Sequence, residues 1–239
     1  MFYDSYDKKG NPLRSWQARN LYPKMIKPAM VLKNGAPKVL EIGYGRGDFH
    51  KVFMQMYPNA EYSVIDANTS ICETAKKNGA LNAYQALLPS FPEQIAKESF
   101  DLVVMNNILE HLNNWIEAEK VLAEKLKPVL KENGRIIIFV PDYLDCGKDF
   151  FDCDYSHSFI TTRSRVNKLL LDCDYKIIKN DYFRSAFNNF RMVFWLLAKI
   201  NNLVFGLILH LTGNLWKRNF LYKCKIAFNR CVFVVAEKK

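Results

Sequence analysis

The 239 residues are enough for one large domain or for one domain that carries an insertion. A composition of 49% hydrophobic and 24% charged residues is that of a globular protein with a buried core. The six cysteines form no C-x-x-C pair, which excludes a zinc framework and a disulfide scaffold. We therefore expect reduced thiols, a cytoplasmic protein and no metal-binding residues. The first residues contain no apolar run typical of a secretory signal, so none is expected.

The net charge of +10 is concentrated near the end of the chain. Between Tyr182 and Ala236 the sequence contains no Asp or Glu, whereas it contains eight Lys and Arg residues. A basic block of this kind indicates a surface that meets an anionic molecule, although charge alone does not name that molecule.

In chain order, the pattern predicts a helical cap over residues 1–36 and then alternating strands and helices. Helices are expected at GDFHKVFMQMY, at TSICETAKKNG and at NNWIEAEKVLAEKLKPVLKENG, the last two ending at a glycine. Strands are expected at KVLEIG, EYSVID, LNAYQAL, FDLVVMNN, RIIIFV and RCVFVVAEK. Before the last of these, TTRSRVNKLLLDCDYKIIKND predicts a capped helix that leads into a sixth strand. Apolar strands without polar alternation are typical of parallel strands covered on both faces, so we predict a doubly wound α/β sheet. The main domain is predicted at 37–182 and 228–239, and the insertion at 183–227.

The first strand leads into a glycine loop, VLEIGYGRGDF. Gly43, Gly45 and Gly47 have the spacing G-x-G-x-G, which differs from the dinucleotide fingerprint G-x-G-x-x-G. Glycines in this position allow a ligand to approach the main chain closely. Asp66 ends the second strand, where a carboxylate can accept hydrogen bonds from both hydroxyls of a ribose. The loop lacks the G-K-S/T sequence of a phosphate-binding P-loop.

Four stretches in this order resemble the class I S-adenosylmethionine-dependent methyltransferases: LEIGYGRG, VIDAN, FDLVVMNNILEHL and LKPVLKENGRIIIFVPD. The resemblance spans about residues 37–180. It implies a Rossmann-like fold of seven mostly parallel strands with an antiparallel last strand, and S-adenosyl-L-methionine as the cofactor.

The resemblance also implies a set of cofactor contacts. Glu41 would hold the methionine end, the glycine loop would lie under the methionine and ribose, and Asp66 would hold the ribose. Gln85 or a backbone carbonyl would replace the acidic residue that many relatives use to contact the adenine amino group. The full expected set is Glu41, Gly43, Tyr44, Gly45, Gly47, Asp66, Ala67, Asn68, Leu87, Leu88, Asn106 and Asn107.

Transfer to a hydroxyl group requires a base, whereas transfer to an oxyanion requires only that the anion be held in place. Two histidines follow strands whose ends lie near the cofactor in this fold. We favour His157, in the loop DYSHSF, as the base, and interpret His111, in LEHL, as structural or on the cofactor side. The alternative for His157 is a structural residue next to the helix cap formed by Thr161 and Thr162.

Residues 193–211 predict a mostly apolar helix. Lys199, Asn202, Gly206 and His210 form one polar stripe on it, which favours a buried or interfacial helix over a membrane-spanning one. The aromatic and basic residues of NLWKRNFLYKCK follow it. The block could form a lid over the substrate, a homodimer contact or a peripheral contact with an anionic membrane on its inner face. Binding to nucleic acid and a true membrane anchor are the further alternatives.

The overall pattern resembles methyltransferases of bacterial surface-polysaccharide biosynthesis. We therefore expect a small-molecule acceptor, anionic or sugar-containing, that is methylated on oxygen in surface glycan or capsule precursor synthesis. One alternative is a membrane-docked methyltransferase of a lipid or quinone-like acceptor. Another is a non-catalytic module that binds nucleic acid or a partner. Nucleic acid is disfavoured because no N-P-P-Y signature follows the fourth strand.

Overall fold

The computed structural model describes residues 12–30, 35–152, 154–183, 191–212 and 229–239. Seven strands form one sheet in the order β3-β2-β1-β4-β5-β7-β6. The strands are β1 (Lys38–Ile42), β2 (Glu61–Asp66), β3 (Asn82–Gln85), β4 (Phe100–Asn106), β5 (Leu130–Pro141), β6 (Tyr175–Phe183) and β7 (Cys231–Lys238). β7 is antiparallel to both of its neighbours, and the first five strands pair in parallel. The predicted doubly wound sheet with an antiparallel last strand is therefore confirmed.

Helices and turns connect these strands. The longer helices are α1 (Pro12–Ala29), α2 (Asp48–Met56), α3 (Thr69–Lys77), α8 (Arg163–Asp172) and α9 (Arg191–Thr212). The shorter ones are α4 (Glu93–Ala96), α5 (Trp115–Lys120), α6 (Tyr143–Cys146) and α7 (Asp149–Asp152), with a 3₁₀ turn at Leu109–His111 and a π-helical turn at Val121–Leu126. Polar side chains mark two of the helix starts. The Asn68 side chain accepts a hydrogen bond from Ser70 N–H, and that of Thr162 accepts one from Arg165 N–H.

Strand β4 shows why the sheet has a hydrophobic core on each face. Its central residues, 102–105, are completely buried. Because successive side chains of a strand point to opposite faces, Leu102 and Val104 pack in one core, and Val103 and Met105 pack in the other. Burial of each such side chain stabilises the fold by about 1.5–3 kcal/mol.

Helix α1, which lies within the segment 1–36 predicted as a cap, covers one face of the sheet. Met25 and Ile26 of this helix are fully buried in the core beneath it. Arg135 of β5 fastens the end of the helix, since its guanidinium donates to the Pro28 carbonyl and pairs with Glu237 of β7.

The long helix predicted before the fifth strand ends earlier than expected. The helical segment stops at Leu126, and β5 already begins at Leu130, ahead of Gly134. Pro128 explains the early end, because proline has no N–H group with which to continue the hydrogen bonds of the helix. Gly134 does not terminate a helix. A Cβ at this position would lie 2.7 Å from the Lys131 carbonyl oxygen, so the glycine allows a close backbone contact where β5 is irregular.

The predicted insertion leaves and rejoins the sheet at adjacent positions. Phe183, the last residue of β6, pairs with Cys231, the first residue of β7. Helix α9 lies within the intervening segment and confirms the helix expected at 193–211. The aromatic and basic stretch NLWKRNFLYKCK lies outside the described residues, as do residues 1–11.

Candidate active site

A cavity lies at the carboxyl ends of β1, β2 and β4. Open α/β sheets bind ligands at this edge. Most of the residues that the resemblance implied for cofactor binding line it together. They are Glu41, Gly43, Tyr44, Gly45, Asp66, Ala67, Leu87, Leu88, Asn106 and Asn107.

The three glycines of the loop serve different purposes. All three have positive φ angles, which glycine adopts without strain. A Cβ on Gly45 would meet no atom within 4 Å, so its lack of a side chain keeps space open in the cavity. A Cβ on Gly43 would collide with Ile108, and one on Gly47 would collide with the Tyr44 ring. Gly47 is not among the residues that line the cavity. Its role is to start α2 tightly against Tyr44.

The Asp66 carboxylate is held in place by main-chain N–H groups. Asn68 N–H donates to one carboxylate oxygen at 2.9 Å, and Gly45 N–H approaches the other at 3.4 Å. Burial raises the pKa of Asp66, and these N–H groups oppose that shift. The result is an oriented carboxylate on the wall of the cavity, beside the open space at Gly45.

Glu41 also lines the cavity, and its carboxyl group is almost completely buried. Burial raises the pKa of Glu41 to about 8. The Tyr62 hydroxyl donates a hydrogen bond to Glu41 Oε2 at 2.9 Å. This bond and the packing around Tyr62 fix the orientation of the Glu41 side chain.

Two residues expected near the adenine lie elsewhere. The Asn68 side chain caps α3 and does not line the cavity. Gln85 is exposed, and its amide donates to the Ala67 carbonyl at 3.3 Å. Gln85 therefore positions the backbone next to the cavity, and the wall there is formed by Ala86, Leu87 and Leu88.

The structure adds two residues that the sequence analysis did not select. Tyr22 reaches the cavity from α1, and its hydroxyl accepts a hydrogen bond from the Asn106 amide at 3.4 Å. No local signal in the sequence marks Tyr22, because its position depends on how α1 packs. Arg46 brings a cation to the cavity from within the glycine loop. This arginine is visible in the loop sequence GYGRG.

His111 and His157 lie in edge-to-face contact, with ring centroids 4.9 Å apart. His111 lines the cavity, whereas His157 is not among the lining residues. This geometry favours His111 over His157 for direct contact with a substrate, the reverse of the order we expected. Burial, together with the neighbouring His157, lowers the pKa of His111.

Glu110 lies beside the two histidines and was also not selected from the sequence. Its side chain is almost completely buried, and burial raises the pKa of Glu110 to about 8. One ligand atom from each of Glu110, His111 and His157 lies within 4.8 Å of the others. The expectation of no metal-binding residues rested on the spacing of the cysteines and did not consider this cluster.

Asp142, a further carboxylate at the end of β5, is used structurally. It is fully buried and forms an ion pair with Arg230 at 3.0 Å, and Arg230 lies over the Tyr182 ring. Removing such a charge from its partner would be costly, so Asp142 is not available as a base.

Residues 40–136 match the family model described as "Methyltransferase domain". This range runs from β1 into β5 and includes the glycine loop, Asp66 and His111. The match covers less than half of the chain, and this part of the chain resembles a methyltransferase domain. The resemblance seen in the sequence motifs is thereby confirmed at the level of the domain.

Curated relatives carry methyltransferase names. A malonyl-(acyl-carrier protein) O-methyltransferase of Paenibacillus sp. (strain JDR-2) is 25% identical over 139 residues, which cover 56% of this chain and 49% of that protein. A bifunctional methyltransferase of Rickettsia bellii (strain RML369-C) is 26% identical over 140 residues, which cover 48% of this chain and 25% of that protein. The chain spans about half the length, or less, of these relatives.

Solved structures agree on the fold. The plantazolicin methyltransferase BpumL, in complex with SAH, has a TM-score of 0.59 at 16% identity, over 100% of this chain and 88% of its own. The N-methyltransferase NodS from Bradyrhizobium japonicum WM9 has a TM-score of 0.57 at 14% identity, over 93% of this chain and 96% of its own. The cyclase SpnF has a TM-score of 0.62 at 16% identity, over 98% of this chain and 84% of its own. Because SpnF is described as a cyclase, the shared fold does not identify the reaction.

Proposed function

We propose that this protein transfers a methyl group from S-adenosylmethionine to an oxygen atom of a small anionic acceptor. The observation that carries the proposal is the cavity at the sheet edge, with an oriented Asp66 carboxylate beside the open Gly45 loop. It lies within the part of the chain that matches a methyltransferase domain.

The described residues fit the proposed cofactor. Asp66 would accept hydrogen bonds from the ribose hydroxyls, and the open space at Gly45 would admit the cofactor next to the main chain. The apolar wall at Leu87 and Leu88 would contact the adenine. The bound cofactor supplies an electrophilic methyl group on a sulfonium, so the protein has mainly to align the acceptor with it.

For the acceptor we favour a carboxylate over a sugar hydroxyl. The relatives named as malonyl-(acyl-carrier protein) O-methyltransferases support this choice, whereas none of the matched relatives carries a name from glycan synthesis. A carboxylate oxygen would form the new bond to the methyl carbon as the carbon–sulfur bond breaks. The products are a methyl ester and the neutral thioether, and no proton is transferred. The Arg46 cation at the cavity suits an anionic group.

A direct test measures S-adenosylhomocysteine formation by the full-length protein with matched acceptors. We expect turnover with a malonyl thioester and none with its methyl ester, which lacks the free carboxylate. A panel of nucleotide sugars tests the glycan alternative. Turnover only with a sugar acceptor would contradict the carboxylate proposal. Salt-dependent RNA binding without any cofactor binding would contradict the enzymatic function and favour the nucleic-acid module.

The exposed face of α9 supports a second proposal, that the enzyme docks on an anionic membrane to reach its acceptor. Ala198 of this helix is buried, and Asn202 bonds to Asn229, so this face packs on the domain. The opposite face exposes large apolar side chains. They are Met192, Val193, Leu196, Leu197, Ile200, Leu203, Val204, Leu207 and Leu211.

An exposed apolar helix within an acid-free, basic segment matches the composition of helices that lie in a membrane interface. Within the described part of the chain, no helix is long and apolar enough to cross a membrane, α9 included. The lid and the homodimer contact stay predictions for the same segment. None of the described α9 residues lines the cavity.

Sedimentation with lipid vesicles tests the docking. We expect the full-length protein to sediment with phosphatidylglycerol vesicles and less with phosphatidylcholine vesicles. Replacing Leu203, Leu207 and Leu211 by serine should abolish sedimentation. Leu81→Ser is the control, because the exposure of Leu81 is similar to that of these leucines but Leu81 lies outside α9. If the triple variant loses a dimer instead, as measured by sedimentation velocity, the face is a homodimer contact.

A further inference from the structure

The Glu110, His111 and His157 cluster combines two elements of the fold. Glu110 and His111 lie on the 3₁₀ turn after β4, and His157 lies on the loop that follows α7. The backbone ties the two elements together, since Ser158 N–H and Phe159 N–H both donate to the Glu110 carbonyl. The cluster is therefore held by the fold and does not depend on a chance approach of surface side chains.

Hydrogen bonds define which nitrogen of His157 carries the proton. Its Nδ1 lies 2.6 Å from the Phe150 carbonyl oxygen, which can only accept. Nδ1 is therefore the donor, and in the neutral ring the lone pair lies on Nε2.

The same argument applies to His111 through Ser156. The Ser156 hydroxyl donates its proton to the Asp154 carboxylate, so its oxygen accepts from His111 Nδ1 at 2.9 Å. The lone pair of His111 also lies on Nε2. A ring N–H held by a carbonyl or by a bonded hydroxyl is the usual arrangement behind a histidine that binds a metal.

Glu110 supplies an independent observation. Its side chain is 1% exposed, and its Oε2 atom is buried without a hydrogen-bond partner. A buried carboxylate oxygen of this kind is costly unless a donor or a cation compensates for it.

We propose that Glu110, His111 and His157 bind one divalent transition-metal ion of the zinc type. Two imidazoles and one carboxylate suit Zn²⁺ and related ions, whereas Mg²⁺ and Ca²⁺ prefer sites made of oxygen ligands. Bonds of about 2.0–2.1 Å to a tetrahedral ion place its ligand atoms about 3.3 Å apart. The ligand atoms here lie within 4.8 Å of one another, so small side-chain movements complete the site.

The site adjoins the cavity through His111, which belongs to both. Three protein ligands leave a fourth position on a tetrahedral ion. If the proposed function is correct, this position would hold an oxygen of the anionic acceptor next to the methyl donor. The metal site itself does not depend on that function.

The test uses the full-length protein after removal of metals with a chelator. Co²⁺ serves as a spectroscopic substitute for Zn²⁺ and is titrated while visible absorption is recorded. We expect one equivalent to bind with d–d bands typical of a four- or five-coordinate site. Calorimetric titration with Zn²⁺ should show the same stoichiometry. Weak binding at several equivalents, without these bands, would overturn the proposal.

Variants assign the ligands. Glu110→Gln and His157→Ala should each weaken Co²⁺ binding by at least tenfold, and Ser156→Ala should weaken it by about 10- to 100-fold through loss of the support to His111. His210→Ala is the matched control, because His210 is exposed on α9. Unchanged binding in all the ligand variants would overturn the assignment.

Circular dichroism verifies that each variant is folded. Should Glu110→Gln fail to fold, His157→Ala and Ser156→Ala decide the result.

Calorimetry with S-adenosylhomocysteine separates this proposal from the proposed function. Co²⁺ binding without S-adenosylhomocysteine binding would leave the metal site standing and contradict the methyltransferase activity. Binding of S-adenosylhomocysteine without binding of Co²⁺ would contradict the metal site alone.

Discussion

Two buried glutamates lie at different distances from the cavity, since Glu41 lines it and Glu110 only precedes the lining residue His111. Burial raises the pKa of both Glu41 and Glu110 to about 8. Glu41 accepts a hydrogen bond from Tyr62, whereas Glu110 Oε2 has no hydrogen-bond partner and lies beside His111 and His157. The Tyr62 hydroxyl therefore satisfies Glu41 Oε2, whereas a bound metal ion is our proposal for Glu110 Oε2.

The comparison divides the site into two halves. We call Glu41, Gly45 and Asp66 the cofactor half and Glu110, His111 and His157 the acceptor half, after the roles that we propose for them. If the division is correct, changes in the first half should alter cofactor affinity, and changes in the second should alter turnover.

The largest effect is expected in the acceptor half. His111→Ala and His157→Ala should each lower turnover by about two to three orders of magnitude, because both would hold the same metal ion. The affinity for S-adenosylhomocysteine, measured by calorimetry, should not change. His210→Ala is the control.

A large loss in His111→Ala alone would indicate that His111 acts by itself, as a base or a contact residue. Full turnover in both variants would show that the acceptor half takes no part in the reaction.

In the cofactor half, Gly45→Val should lower S-adenosylhomocysteine affinity about 100-fold. The new side chain would occupy the open cavity space and would strain a residue with a φ angle of +55°. Gly79→Val is the matched control, since Gly79 has a φ angle of +97° and open space but lies away from the cavity. Equal affinities for the two variants would mean that the ligand does not approach Gly45.

Asp66→Ala should weaken S-adenosylhomocysteine binding at least about tenfold, because hydrogen bonds to a charged group contribute about 1.5–3 kcal/mol each. Turnover at saturating cofactor should fall much less. Glu73→Ala, an exposed carboxylate on the neighbouring helix α3, is the control. Wild-type affinity in Asp66→Ala would remove Asp66 from the cofactor half.

The smallest effect is a change in the pH dependence of stability in Glu41→Gln. The pKa of Glu41 is about 8 in the folded protein, above its ordinary value of 4.5. The unfolded chain therefore releases this proton first, and the contribution of Glu41 to stability declines as the pH rises from about 4.5 to 8. Glu41→Gln should flatten that decline in urea unfolding at pH 5, 6, 7 and 8. An unchanged slope would contradict the burial of an ionisable Glu41, and Glu73→Gln should match the wild type.

The sheet was predictable because buried parallel strands leave unbroken apolar runs in the sequence. The grouping of Glu41, Gly45 and Asp66 around one cavity was predictable for a related reason, since these residues lie in short motifs at strand ends. The end of the helix before β5 was predicted wrongly. A glycine after a helical pattern suggests a helix stop, but Gly134 is needed for a close contact with the Lys131 backbone, and that contact exists only after folding.

The acceptor half was harder to predict because its members are far apart in the sequence. Glu110 and His157 meet only through the packing of two loops. Tyr22 reaches the cavity from a helix with no motif of its own. The sequence offered both histidines but no means of ranking their distances from the cavity.

The pairing of Phe183 with Cys231 has a consequence for how this protein can change. The segment 184–230 begins and ends at neighbouring points of one antiparallel ladder, so its length does not affect the sheet that carries the cofactor half. The number of residues between Phe183 and Asn229 can therefore change without breaking a strand pairing, as long as Arg230 keeps its ion pair with Asp142. Segments of different length can thus be joined between β6 and β7 while the seven-stranded sheet keeps its strand order.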